Sequence, residues 1–196
     1  MEELSMLMID FTTLETARLR LRHFKDSDLT LFMGYRNDPI VAKYQSWEGI
    51  SELEARTFIQ EQKETQPGIP GQGFQVAIEL KATGVLIGDC FFMMNALDHR
   101  QAEIGFTLSR ENQGYGYATE AVSRFLNYAF HTFDLHRIIA ITDCENIASV
   151  ALLERLGMRR EGHFIQNIWF KGKWGDEYQY AILKEEWLLN SNYRHF

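Results

Sequence analysis

Three strand-like segments follow one another through the middle of this chain with no helical stretch between them: Phe74 to Leu80, Val85 to Met94 and Gln101 to Leu108. The turn residues Lys81 to Gly84 separate the first two. Strands joined without a crossover helix pair antiparallel. The run Gln113-Gly114-Tyr115-Gly116-Tyr117-Ala118-Thr119-Glu120-Ala121 comes next and opens a helical pattern. That helix is expected from Ala118 to about Phe133, with Ala121, Phe125, Tyr128 and Ala129 at helical spacing. The β-branched strand Arg137 to Thr142 then implies one parallel crossover.

The flanking segments complete the pattern. Arg18-Leu19-Arg20-Leu21-Arg22 alternates with period two, as a strand does. Asp26 or Ser27 is placed to cap a helix running towards Asn37, with Pro39 expected to end it. Ser51-Glu52-Leu53-Glu54 is a capping-box pattern and predicts a second helix to about Gln66, before the loop Pro67 to Gly73. Ile147 to Leu156 reads as a short helix closed by a left-handed Gly157. Arg160 to Phe170 and Trp174 to Leu183 form a hairpin around Lys171-Gly172-Lys173, and the tail from Glu185 is a last turn of helix or a frayed end. The order β-α-α-β-β-β-α-β-α-β-β predicts an α/β (α+β) fold: a mixed, mostly antiparallel central sheet of about seven strands, with one parallel crossover and helices on both faces.

The chain has 196 residues, 45% of them hydrophobic, enough for one domain spanning 1–196 with a sizeable core. A net charge of -7 argues against nucleic acid as the main partner, because binding phosphates needs a basic surface. No apolar run has the length of a membrane span, and Met1-Glu2-Glu3 lacks the basic start of a signal peptide. Cys90 and Cys144 have no metal-site spacing and read as small buried thiols of a reduced, cytoplasmic protein. No metal is expected.

The two-glycine loop carries the chemistry. At a strand-to-helix junction, Gly114 and Gly116 let backbone N–H groups converge where the helix presents unsatisfied donors and the positive end of its dipole. Such a junction favours an anion, most often a phosphate. The Gly-Lys-Ser/Thr ending of a P-loop is missing. A dinucleotide fingerprint fails too: the third glycine is absent, and Asp134 precedes the next strand where the fingerprint needs its acid after it.

Gln113-Gly114-Tyr115-Gly116-Tyr117-Ala118 resembles the Gln/Arg-x-x-Gly-x-Gly/Ala motif of the GCN5-related N-acetyltransferases. The segment Asn146 to Met158 resembles their second signature, with Arg155 and Met158 replacing the usual Lys and Phe. Thr16 to Arg22 and Asn37-Asp38-Pro39 resemble the ribosomal-protein alanine acetyltransferase (RimJ/RimL-like) branch. The resemblance covers about residues 12–188 and implies acetyl-CoA as co-substrate.

In that family the loop amides hold the CoA pyrophosphate, which places Gln113, Gly114, Tyr115, Gly116, Tyr117, Ala118 and Thr119 at the cofactor. The resemblance also implies that the strand before the loop and the strand after the helix splay apart. Pantetheine would then pair with backbone at Phe106, Thr107 and Leu108, and a backbone N–H near Leu108 would meet the oxyanion. Asn146 would hold the pantetheine or acetyl region, and is equally suited to a plain helix cap. Glu103 is the leading candidate for the base that takes the amine proton, with a solvated strand-face glutamate, or one paired with Arg100, as the structural alternatives. Asp176 is second, with His99 and His163 behind it. Ser149 is matched to the group that donates to the departing sulfur, and also to an ordinary first-turn serine.

The acceptor would enter between the first two helices and the final hairpin, where Tyr35, Trp47, Phe164 and Trp169 are candidates to line the mouth, with plain core packing as the alternative for aromatics at such spacing. The leading function is acetyl transfer to a primary amine, either a peptide N-terminus or a small molecule. A non-catalytic acyl-CoA sensor is the alternative, and transfer of another acyl group, or to a hydroxyl, is a third. The exposed sheet edge permits a homodimer.

Overall fold

The computed structural model describes residues 10–191; the ends of the single domain expected over 1–196 lie outside the described residues. Its elements are β1 (Leu14–Glu15), β2 (Leu19–Arg22), α1 (Leu29–Arg36), α2 (Pro39–Ala42), α3 (Glu52–Glu64), β3 (Gly73–Leu80), β4 (Val85–Met94), β5 (Gln101–Leu108), α4 (Tyr117–Thr132), β6 (Arg137–Asp143), α5 (Ile147–Arg155), β7 (Arg159–Phe170), β8 (Lys173–Leu183) and α6 (Lys184–Ser191). One sheet carries eight strands in the order β1-β2-β3-β4-β5-β6-β8-β7. Only β5 and β6 run parallel; every other neighbouring pair is antiparallel. The strand beyond the seven expected is the two-residue β1, too short to show a period.

Local chemistry explains most of the boundaries. Ser51 Oγ accepts from Glu54 N at 3.3 Å while Glu54 Oε2 accepts from Ser51 N at 2.9 Å, the reciprocal cap expected of α3. Past α5, Met158 N donates to Leu153 O at 3.0 Å and Gly157 N to Glu154 O at 2.9 Å, with Gly157 at φ +77°. This is the Schellman pattern, and its apolar partners Leu153 and Met158 are both buried. α1 ends at Arg36 ahead of Pro39, as expected, but Pro39 has a second role. Asp38 Oδ1 accepts from Ile40 N at 2.8 Å, so Pro39 opens α2 at its first position, where a missing N–H costs nothing. The tail forms α6, and Cys144 is half-buried rather than buried.

Two apolar clusters sandwich the sheet. On one face α4 buries Ala121, Val122, Phe125, Leu126, Ala129 and Phe130 against Phe92, Ala102, Ile104 and Ile138. On the other, Phe24, Phe32 and Tyr35 pack with Ala55 and Ile59 of α3 over Ala77 and Leu86.

The centre of the sheet opens at one end. β5 pairs with β6 only from Gln101 to Glu103 against Arg137 to Ile139, although β5 stays paired with β4 through Leu108 and β6 with β8 through Asp143. Beside the open end, β4 and β5 approach closely at Gly88. A Cβ there would lie 2.1 Å from Thr107 O and 2.9 Å from Leu108 Cα. Gly88→Ala is therefore expected to destabilise the fold by about 3 kcal/mol or more. For a chain of this size that is a fall in Tm of roughly 6–12 °C. Gly105→Ala, whose Cβ would meet Phe91 Cβ at an ordinary 3.5 Å, is the matched control and should melt near wild type. Equal melting of the two variants would contradict the close approach.

Candidate active site

The open end of the sheet exposes polar backbone. Asn95 N donates to Gln101 O at 2.9 Å and Ser109 N to Ile87 O at 2.8 Å, so the odd-numbered residues of β5 bond to β4. The even-numbered Phe106 and Leu108 turn their N–H and C=O groups towards β6, which has already parted from them. Gln113 Nε2 donates to Leu108 O at 3.0 Å, fixing the loop that follows onto the end of this strand.

That loop leads into α4. Gly114 and Gly116 have φ +83° and +81°, the left-handed region that only glycine adopts freely. Gly116 is the N-cap and offers no side chain to the first turn, and Glu120 N makes the first helical bond, to Gly116 O at 3.1 Å. The N–H groups of Tyr117, Ala118 and Thr119 thus precede the helical ladder. Arg155 of α5 donates to Thr119 Oγ1 at 3.3 Å, which ties α5 to this turn.

A single cavity of about 1530 Å³ connects the open strand edge with the helix start. Residues 106–108, 113–119, Asn146 and Ser149 all line it, and Glu103 does not. Asn146 Oδ1 accepts from Ser149 N at 3.3 Å, so its side chain serves as the N-cap of α5. The cavity also reaches Ile40 and Val41 of α2 and Tyr44 beyond it, residues that the sequence did not single out. Arg18 is a further unforeseen lining residue: its guanidinium donates to Tyr115 O at 3.0 Å and to Glu120 Oε2 at 2.6 Å.

Glu103 is the last β5 residue paired to β6 and sits at the vertex of the split, half-buried. Its side chain lies on the face opposite Ala102 and Ile104, away from α4. Burial pushes its pKa up, and the negative charge of Glu177 pushes it further. Arg100 does not pair with it, because the guanidinium is held by Asp98 at 2.8 Å.

The other candidates separate from this point. Asp176 accepts from Gln166 N at 2.8 Å where β7 breaks register, with Gln166 at φ +47°; His163 lies 3.9 Å from its carboxylate. His99 sits in the turn before β5. Tyr35 is buried, 3% exposed, and donates to Asp89 at 2.5 Å, so it belongs to the core and not to the mouth. Trp47 lies under the Arg36 guanidinium at 4.5 Å. Phe164 and Trp169 stay exposed on the hairpin, whose Lys171 Nζ donates to Ala42 O at the end of α2. The hairpin and the α1–α2 region therefore do meet, at Lys171.

An acyl-transfer frame is what this geometry defines: a strand edge left open beside a helix start that lacks a side-chain cap. The family model for the acetyltransferase (GNAT) domain matches residues 18–159, and the chain belongs to that family of acetyltransferases. It is 38% identical over 172 residues to the uncharacterized N-acetyltransferase YnaD of Bacillus subtilis (strain 168), covering 88% of this chain and 97% of YnaD. It superimposes with a TM-score of 0.79 and 32% identity on a GNAT-family acetyltransferase of Bacillus anthracis, over 89% of this chain and 99% of that one. A spermidine N-acetyltransferase of Vibrio cholerae, solved with CoA and spermine, matches with a TM-score of 0.75 and 25% identity over 88% of this chain and 99% of that one.

The electrostatic coupling of Glu177 to Glu103 has a direct test. Glu177→Gln removes a negative charge beside a half-buried carboxyl, so the Glu103 pKa should fall towards its ordinary value. Carboxyl-carbon NMR titration reads that shift, and an unmoved Glu103 titration would contradict the coupling.

Proposed function

We propose that this protein transfers an acetyl group from acetyl-CoA to a primary amine by direct attack, with no covalent acyl-enzyme. The observation that carries this reading is one cavity joining the uncapped start of α4 to the unpaired edge of β5. The residues fit the co-substrate. The N–H groups of the glycine loop and first α4 turn suit a pyrophosphate. The free edge at Phe106 and Leu108 offers a strand-like partner for the pantetheine amides. The Vibrio cholerae structure, solved with CoA, supports the same assignment by analogy.

Roles for the side chains follow from placement. The amine attacks the thioester carbonyl as a neutral nucleophile, so its proton must go first. Glu103 takes that proton through water, since it lies at the vertex of the split but off the cavity wall. Its raised pKa makes it a better base than an exposed carboxylate. The Leu108 N–H, turned into the gap, meets the carbonyl oxygen as negative charge develops there. Ser149, on the opposite wall, donates to the sulfur as the thiolate leaves, and Asn146 holds the α5 turn that presents it. Carboxylates at Glu103 and Glu177 favour a cationic amine. Spermidine and peptide N-termini are the acceptors to try first, the former because a spermidine N(1)-acetyltransferase of Vibrio cholerae is 33% identical over 93 residues, 47% of this chain.

The experiment is release of free thiol from acetyl-CoA in the presence of an amine panel, with the acetylated amine identified by mass. Thiol release that depends on an amine supports the transferase. CoA binding without release on any amine would favour the sensor instead. Glu103→Gln should lower kcat by roughly 10²-fold. In the wild type the acid limb of kcat/KM should lie above the ordinary carboxylate range, because the base works only when deprotonated and its pKa is raised. An unchanged pH profile in Glu103→Gln would remove it from this role. Gly116→Val places a branched side chain at φ +81° and should abolish CoA binding; retained affinity would sink the loop assignment.

A further inference from the structure

The segment Thr16 to Arg18 precedes the glycine loop by about a hundred residues, yet it closes on the loop from outside. Glu120, in the first turns of α4, is the hub. Its Oε1 accepts from Thr16 Oγ1 at 2.6 Å and from Arg18 N at 2.8 Å, and its Oε2 accepts from Arg18 Nε at 2.6 Å. The same guanidinium donates through Nη1 to Tyr115 O at 3.0 Å and lies over the Tyr117 ring at 4.6 Å. Both loop tyrosines are thus gripped by one side chain, at the backbone of Tyr115 and the ring of Tyr117.

We propose that Arg18, held by Glu120, is a positioning residue that sets the glycine loop in its anion-binding conformation before CoA arrives. The proposal rests on the reading that this loop takes the CoA pyrophosphate. In a trans peptide the C=O and N–H point in opposite directions. Holding Tyr115 O therefore fixes where the Gly116 N–H points. Gly116, on one side of this peptide, and Gly114, on the far side of Tyr115, both sit at positive φ, so the segment around it has wide backbone freedom. A loop ordered in advance has less entropy to lose on binding. Only a guanidinium, with several donors in one plane, can bond a carboxylate and a carbonyl while covering a ring.

Simple electrostatics makes the opposite prediction for Glu120, and this separates the two accounts. A carboxylate close to a phosphate site repels the ligand, so its removal alone would strengthen CoA binding. If the clamp governs, Glu120→Gln weakens binding instead, because Arg18 loses its anchor. The test is the Kd for CoA by titration calorimetry on the full chain, at fixed pH and ionic strength, for wild type, Glu120→Gln, Arg18→Ala and Arg18→Lys. Arg18→Ala and Glu120→Gln should each raise Kd about ten- to hundredfold, the loss expected for a charge-assisted hydrogen bond. Arg18→Lys should also fall short of wild type, and the double variant Arg18→Ala/Glu120→Gln should be no worse than Arg18→Ala. The KM for acetyl-CoA should rise while kcat at saturation stays near wild type. If Arg18→Ala fails to fold, the near-isosteric Glu120→Gln carries the test.

Unchanged or tighter CoA binding in Glu120→Gln, or full affinity in Arg18→Lys, overturns the clamp. A wild type that binds CoA but acetylates no amine would overturn the transferase reading and leave the clamp to be judged on Kd. A wild type that does not bind CoA overturns both.

Discussion

The end of pairing between β5 and β6 after Glu103 is the constraint on which the rest of the molecule depends. Each strand keeps its outer partner, so the sheet remains held together on both sides of the gap. The split costs free energy, because backbone groups of Phe106 and Leu108 forgo a ladder partner. A buried polar group left unsatisfied costs about 1–3 kcal/mol. Part of this cost is offset locally, since Gln113 satisfies Leu108 O. The close approach at Gly88 explains which way β5 leans: its Thr107–Leu108 end lies against β4, away from β6. The remaining unpaired edge is left open by the fold, as the proposed binding of pantetheine requires.

Everything else with a chemical role is placed by reference to this gap. The α4 start lies at one end of it, where β5 runs out and the glycine loop turns. The α5 start lies on the other wall, presenting Ser149 under the Asn146 cap. Glu103 marks the vertex on the face opposite α4, in partial burial that raises its pKa. The hairpin of β7 and β8 reaches α2 through Lys171. On the proposed reading, anion binding, acyl positioning and proton removal are grouped around a single opening.

The order of strands and helices was legible because each long element has a clean period or a chemically specific boundary, such as the Ser51 capping box and Gly157. At Pro39 the expected end of α1 holds, but the same residue also starts α2, a four-residue helix too short to show a period and marked only by the local Asp38 cap. The two-residue β1 carries no period at all. Around the cavity, the glycine loop and the Asn146 cap of α5 were readable because backbone geometry restricts what can stand there. Arg18, Glu177 and the α2 lining were not, since their roles arise from contacts between segments far apart in the chain. Tyr35 took the other course open to an aromatic residue at that spacing: it is committed to Asp89 in the core.

A crystal structure with CoA bound tests the central claim most directly. The account predicts pyrophosphate on the N–H groups at the start of α4, pantetheine lying along Phe106 to Leu108 between β5 and β6, and the sulfur beside Ser149. CoA bound elsewhere, or β6 closed onto β5 beyond Glu103 with the ligand outside the sheet, would contradict it.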